Sequence, residues 1–175
     1  RELARGFSAG EPDTGSWCVR ETVATQTEED AYFAKLAMPV RQSREPVLYS
    51  FRVRSLDDGW VGVGLHLFVD DVERRRGYGM GSSLLVWFTR DPQARRSNAT
   101  YLQLYRSDDD VTMARVLDAA IPQPIDRFID VDVLYEPESQ YVTIAVDGTD
   151  RVRYRAWFGI DSGVEIALRS LGRAQ

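Results

Sequence analysis

From Trp17 onward, apolar side chains recur at every second position and turn residues interrupt them at spacings of about ten residues. This period of two predicts β-strands throughout. The stretch from Gly59 to Val69 shows it best, because successive side chains of a strand point to opposite faces. Val61, Val63, Leu65, Leu67 and Val69 form one apolar ridge destined for a core. Trp60, Gly62, Gly64, His66 and Phe68 form the other face, where glycines separate aromatics and the only histidine. Glycine inside a strand marks either open floor for a ligand or a bed beneath another stretch of backbone.

Further strands follow by the same rule. Val47, Tyr49, Phe51 and Val53 turn inward while Leu48, Ser50, Arg52 and Arg54 turn out. Leu56-Asp57-Asp58-Gly59 is a turn by composition, so these residues and the 60–69 strand read as a hairpin. A long connection from Asp70 to Ser82 carries Arg74, Arg75, Arg76 and Gly77-Tyr78-Gly79-Met80-Gly81, and is the expected functional loop. Strands resume at 83–90 and 100–107. Leu84, Val86, Phe88, Leu102 and Leu104 face the core; Leu85, Trp87 and Thr89, with Tyr101, Gln103 and Tyr105, face away. If these strands flank 60–69, one face collects Trp60, His66, Trp87, Tyr101, Gln103 and Tyr105.

The last third reads as an antiparallel meander. Ile129, Val131, Val133 and Tyr135 lead to Val142, Ile144 and Val146, and Asp147-Gly148 supplies the positive φ of a two-residue hairpin turn. Val152 and Tyr154, then Val164, Ile166 and Leu168, complete it. Only Glu28 to Leu36 carries a helical signal, and a short strand fits it as well. The sum is about ten or eleven strands with at most one or two short helices: an all-β, two-sheet antiparallel sandwich. Residues 1–16, rich in Gly, Ser, Pro and charge, read as a terminal arm, and 17–175 as a single domain.

Composition narrows the picture. At 175 residues the chain buries a core without staples, and one cysteine, Cys18, excludes an internal disulfide. A net charge of −5 with interspersed acids and arginines argues against a nucleic-acid groove. No apolar run is long enough to span a bilayer.

The order of the glycine-rich aromatic strand, Leu84-Leu85-Val86-Trp87-Phe88 and Tyr101-Leu102-Gln103-Leu104-Tyr105 resembles the concanavalin A-like lectin/glucanase jelly roll. The runs Phe128 to Tyr135, Tyr141 to Gly148 and Gly163 to Arg169 are similar to the closing meander of its laminin-G-like and glucanase-like members. The resemblance implies a curved sheet whose concave face meets glycans, and in many members calcium; other members are plain interaction modules. It also implies that a glucanase would carry Glu-x-Asp-x-Glu on a strand, a triplet this chain lacks.

Aromatic rings stack on sugar faces while Gln, His and Arg bond hydroxyls, so Trp60, His66, Trp87, Tyr101, Gln103, Tyr105 and Tyr78 are the expected ligand-binding set. No serine or cysteine nucleophile is paired with His66 by a recognisable motif. Glycosidase chemistry needs two carboxylates roughly 5 to 9 Å apart. Asp130 and Asp132 imitate that spacing at about 7 Å by strand rise, but Arg151, Arg153 and Arg155 two strands away make surface pairing the simpler account. Asp108-Asp109-Asp110 and Asp70, Asp71 and Glu73 offer oxygens to calcium without an EF-hand spacing. Asn98-Ala99-Thr100 fits a glycosylation sequon. The chain is expected to be a non-catalytic carbohydrate- or envelope-binding module, periplasmic, extracellular or at the cell surface, with no required cofactor. A structural or assembly protein of an envelope or appendage, docking an envelope protein on the same face, is the second expectation; an atypical glycoside hydrolase is the third.

Overall fold

The apolar half of each alternating stretch lands between two antiparallel sheets. The computed structural model describes residues 11–73, 77–93, 99–156, 159 and 162–175; residues 1–10 of the expected arm, Arg74 to Arg76 and Asn98 lie outside them. Seven strands form one sheet. In spatial order they are β1 (Glu11–Thr14), β4 (Ala34–Gln42), β13 (Gly163–Leu171), β6 (Val61–Asp70), β7 (Ser82–Arg90), β8 (Thr100–Ser107) and β9 (Met113–Ile121). The facing sheet orders β12 (Thr149–Arg155), β11 (Tyr141–Val146), β10 (Ile129–Glu136) and β5 (Val47–Val53). A small hairpin, β2 (Trp17–Arg20) with β3 (Val23–Gln26), stands apart.

No described residue is helical, and the segment with the helical signal instead turns at 29–30 and enters β4. Glu11–Thr14, within the expected arm, adds as an edge strand beside β4. The core contains Val61, Val63, Leu65, Val86, Phe88, Leu102 and Leu104 from the large sheet, against Val131, Val133, Ile144 and Val152 from the small one. Asp147 and Gly148 both hold positive φ, 49° and 69°, as their hairpin requires.

Three expectations are corrected. β5 and β6 are not a hairpin. β5 pairs with β10 and β6 with β7 and β13, so the 56–59 connection crosses between sheets. Two one-faced strands bury their ridges equally well across a core as beside each other, and alternation alone does not choose.

The second correction concerns Phe68 and Val69. Phe68 has φ +53°, and the β6–β7 register shifts between Leu67 and Asp70, which is a bulge. The extra residue swaps the faces. Phe68 enters the main core against Tyr135, with ring centroids 4.8 Å apart, while Val69 joins Met80 and Ala167 in a separate small cluster.

The third concerns the acids on β10. Asp132 accepts from Ser50 Oγ at 2.5 Å and Asp130 lies 3.9 Å from Arg52, so both are met by β5 and not by Arg151, Arg153 or Arg155. β10 is an inner strand, and the neighbour opposite β11 stands closer. Arg153 instead lies over the Tyr141 ring.

Candidate functional site

β6, β7 and β8 do lie side by side, and the register sets their outward residues in rows. Arg169, Gly64, Trp87 and Gln103 form one row across four strands. The glycine floor beneath is not open: the Trp87 indole lies across it. A Cβ on Gly62 would stand 2.1 Å from Trp87 Cζ2, and one on Gly64 would stand 2.1 Å from the Val86 carbonyl oxygen. The glycines exist so that the ring can lie down.

Above that ring opens a cleft of about 550 Å³. Of the residues expected from sequence, Trp60, Tyr78, Trp87, Gln103 and Tyr105 line it. Tyr101 shares their face beside Thr89 but is not among the lining residues, and His66 is fully buried below. Trp60 and Tyr78 are half exposed at the mouth. Tyr32 and Phe33, from the turn before β4, complete an aromatic wall: Tyr32 packs edge-on to Trp60 at 5.7 Å and Phe33 to Tyr78 at 4.5 Å between centroids. Sequence reasoning missed both, and missed Arg169.

Tyr78 is held in place by glycines. A Cβ on Gly79 would meet the Asp109 carbonyl oxygen at 1.9 Å, and one on Gly77 the Asp110 carbonyl oxygen at 2.4 Å, so the 77–81 segment presses backbone to backbone on the 108–112 turn. Gly79 N–H donates to Asp110 O at 3.0 Å. The opposite wall is polar. Tyr105 OH donates to Gln103 Oε1 at 2.9 Å, Gln103 Nε2 donates to Asp118 Oδ1 at 3.2 Å, and Arg115 lies 3.5 Å from Asp118. Burial raises the Tyr105 phenol above its ordinary value.

The carboxylates of the acidic turn hydrogen-bond groups of their own loop and of the 77–81 segment. Asp109 Oδ1 accepts from Val111 N, Thr112 N and Thr112 Oγ1, and Asp110 Oδ1 accepts from Gly81 N at 2.7 Å, so these oxygens already fix the loop. Among the described residues no group of three or more Asp, Glu, His or Cys is placed to hold a metal ion.

His66 Nδ1 hydrogen-bonds Ser83 Oγ at 2.9 Å, and Nε2 is buried without a partner. Burial first, then the charges of Arg169 and Lys35, push its pKa well below 6.5. The folded ring therefore stays neutral where the unfolded one takes up a proton. The contribution of His66 to stability is therefore present above about pH 6.5 and is lost as pH drops below it. Urea midpoints at pH 7.5, 6.5 and 5.5 should decline over the acidic interval, and His66→Gln should flatten part of that slope; an unchanged slope would contradict the assignment.

Neither a protein-family model nor a curated protein matches the chain. Solved structures do. The carbohydrate-binding module CBM66 from Bacillus subtilis superposes with a TM-score of 0.71 at 9% identity, over 95% of this chain and 90% of that one. The Emp46p carbohydrate recognition domain, in its potassium-bound form, gives 0.70 at 12% identity over 98% and 87%. A prokaryotic β-1,3-1,4-glucanase (lichenase) derived from a mouse hindgut metagenome gives 0.62 at 11% identity over 94% and 80%. At such identities the likeness speaks for the fold. With its facing seven- and four-stranded antiparallel sheets, the chain has the concanavalin A-like lectin/glucanase jelly-roll fold.

Proposed function

We propose that this protein is a non-catalytic carbohydrate-binding module whose ligand enters the aromatic-walled cleft on the outer face of the seven-stranded sheet. The cleft itself carries the reading: about 550 Å³, with Trp60, Tyr32 and Tyr78 partly exposed at its mouth and Gln103 and Tyr105 inside. Flat aromatic faces take the apolar side of a sugar ring, and the polar wall takes its hydroxyls. Two of the solved structures it resembles are a carbohydrate-binding module and a carbohydrate recognition domain, which supports the reading.

Among the described lining residues Asp91 is the one acid, whereas glycoside hydrolysis uses a pair. Asp130 and Asp132 belong to the other sheet. A glycan partner implies work in the periplasm, at the cell surface or outside the cell.

Trp60 is the appropriate probe, being 55% exposed where Trp87 is 8%. Covering an indole face contributes roughly 1.5–3 kcal/mol, and each 1.4 kcal/mol is about tenfold in affinity. Trp60→Ala should therefore weaken a glycan found by array screening by about tenfold or more, read by calorimetry, with the urea midpoint unchanged. Undiminished binding would remove this wall from the site. A second reading, docking of an envelope protein on the same surface, draws on the clustering of exposed Trp60, Tyr78 and Tyr32; a stable protein complex lost in Trp60→Ala, together with a silent glycan array, would favour it.

A further inference from the structure

We propose that the cleft selects an acidic saccharide, the anionic group of one sugar ring seating against Arg169 beneath the aromatic mouth; this rests on the carbohydrate reading above.

Arg169 projects from β13 onto the cleft face. Its neighbour in the row, Gly64, has no side chain, so the guanidinium reaches over β6 to 5.4 Å from the Trp87 ring centroid and 5.7 Å from that of Phe33. It lines the cleft with only 6% of its surface exposed. Nη1 donates to the Tyr78 carbonyl oxygen and meets Met113 Sδ at 3.4 Å. Nε–H is buried with no acceptor. Among the described residues no carboxylate stands within ion-pairing distance of it.

Among the described residues, the groups acting on its charge are phenols and not carboxylates. Lys35 is its cross-strand neighbour on β4, His66 is held neutral, and Tyr32, Tyr78 and Tyr105 offer only phenols. Arg115 is met by Asp118. Asp91 lies four residues beyond Trp87, about 13 Å away by strand rise. A cation taken out of water without a counter-ion is costly, and burial pushes Arg169 down to about 10. An anion arriving in the cleft restores the missing partner. Guanidinium suits this task, because its planar donors match the paired oxygens of a carboxylate or sulfate.

Carboxylate and sulfate ester share that chemistry, so the test separates them. Oligogalacturonate, oligomannuronate, sialyllactose and sulfated galactan oligosaccharides are titrated against the protein by calorimetry, each beside its methyl-esterified, asialo or unsulfated counterpart. At least one anionic ligand should bind about tenfold or more tighter than its uncharged counterpart, and lose that advantage as salt rises. Arg169→Met should bring the pair to equal affinity, and Arg169→Lys should retain part of the difference. Whether the uronates or the sulfated ligands show the preference identifies the group. Uncharged ligands binding as tightly as, or tighter than, all the anionic ones would overturn acidic selectivity and leave carbohydrate binding standing. No binding in any arm would overturn both. The wild-type comparison decides even if Arg169→Met does not fold.

Discussion

Trp87→Ala should lower the unfolding free energy by about 3–5 kcal/mol, and in that background Gly62→Ala should cost almost nothing. In the wild type the Gly62 substitution is expensive because the three nearest neighbours of the new Cβ all belong to one side chain: Trp87 Cζ2 at 2.1 Å, Cε2 at 2.5 Å and Cη2 at 2.9 Å. Overpacking of that kind typically costs about 1–3 kcal/mol. Remove the ring and the obstruction goes with it. A double-mutant cycle by urea denaturation should therefore show strong coupling, whereas additive costs would mean that the ring does not rest on the glycine floor. Gly64 is different. Its Cβ would also strike the Val86 carbonyl oxygen, which the Trp87 substitution does not move, so Gly64→Ala should remain costly in both backgrounds.

This distinction changes how the site is probed. Trp87 looks from sequence like a member of an open stacking platform, yet it is 8% exposed and supports the cleft from below. Loss of binding in Trp87→Ala would mix lost contact with lost architecture. Trp60 and Arg169 each separate the two, the first because it is half exposed, the second because its effect is read as a difference between charged and uncharged ligands.

The two-sheet sandwich was legible because one face of most strands meets the core between the sheets, and alternation records which residues those are. Leu84, Val86 and Phe88, or Ile129, Val131 and Val133, could not be placed otherwise. Partner choice was less legible. Val47 to Val53 and Val61 to Val69 have equivalent ridges, and a four-residue turn between them is compatible with a hairpin or a crossover. The strand at 113–121 escaped notice because its burial is only partial for most of its length, so its sequence lacks a strong apolar stripe.

The site was legible where its residues are aromatic and in phase. Trp87, Gln103 and Tyr105 follow directly from the parity of β7 and β8. Arg169 does not, because an arginine on a strand reads as a solvated surface group and its burial depends on Gly64, which is next to it in the sheet but far from it along the chain. The register of β13 also shifts at Gly163/Glu165 and again at Glu165/Ala167, so Val164 is half exposed although Ile166 and Leu168 are inward. Tyr32 and Phe33 sit in a turn, where no periodicity exists to signal a face.

The bulge at Phe68 supplies the other large effect. Phe68→Ala should cost about 3–5 kcal/mol, since the ring is fully buried against Tyr135 at 4.8 Å and Tyr49 at 6.4 Å. A domain of this size has about 5–15 kcal/mol in total, so the variant should sit near the edge of folding. Phe68→Gly, which removes one carbon more, should be the more stable of the two by about 1 kcal/mol. Within a strand glycine is ordinarily the worse residue, but at φ +53° alanine carries a Cβ in the left-handed region and glycine does not. Gly163 enforces that backbone shape from the side: its Cβ, if present, would stand 2.5 Å from Phe68 Cα. Gly163→Ala should therefore destabilise wild type and Phe68→Gly alike, because the contact is with main chain that both retain. Urea midpoints that rank Phe68→Ala above Phe68→Gly would show that the strand runs straight through this point, and would return Phe68 to the face that carries Trp60 and His66.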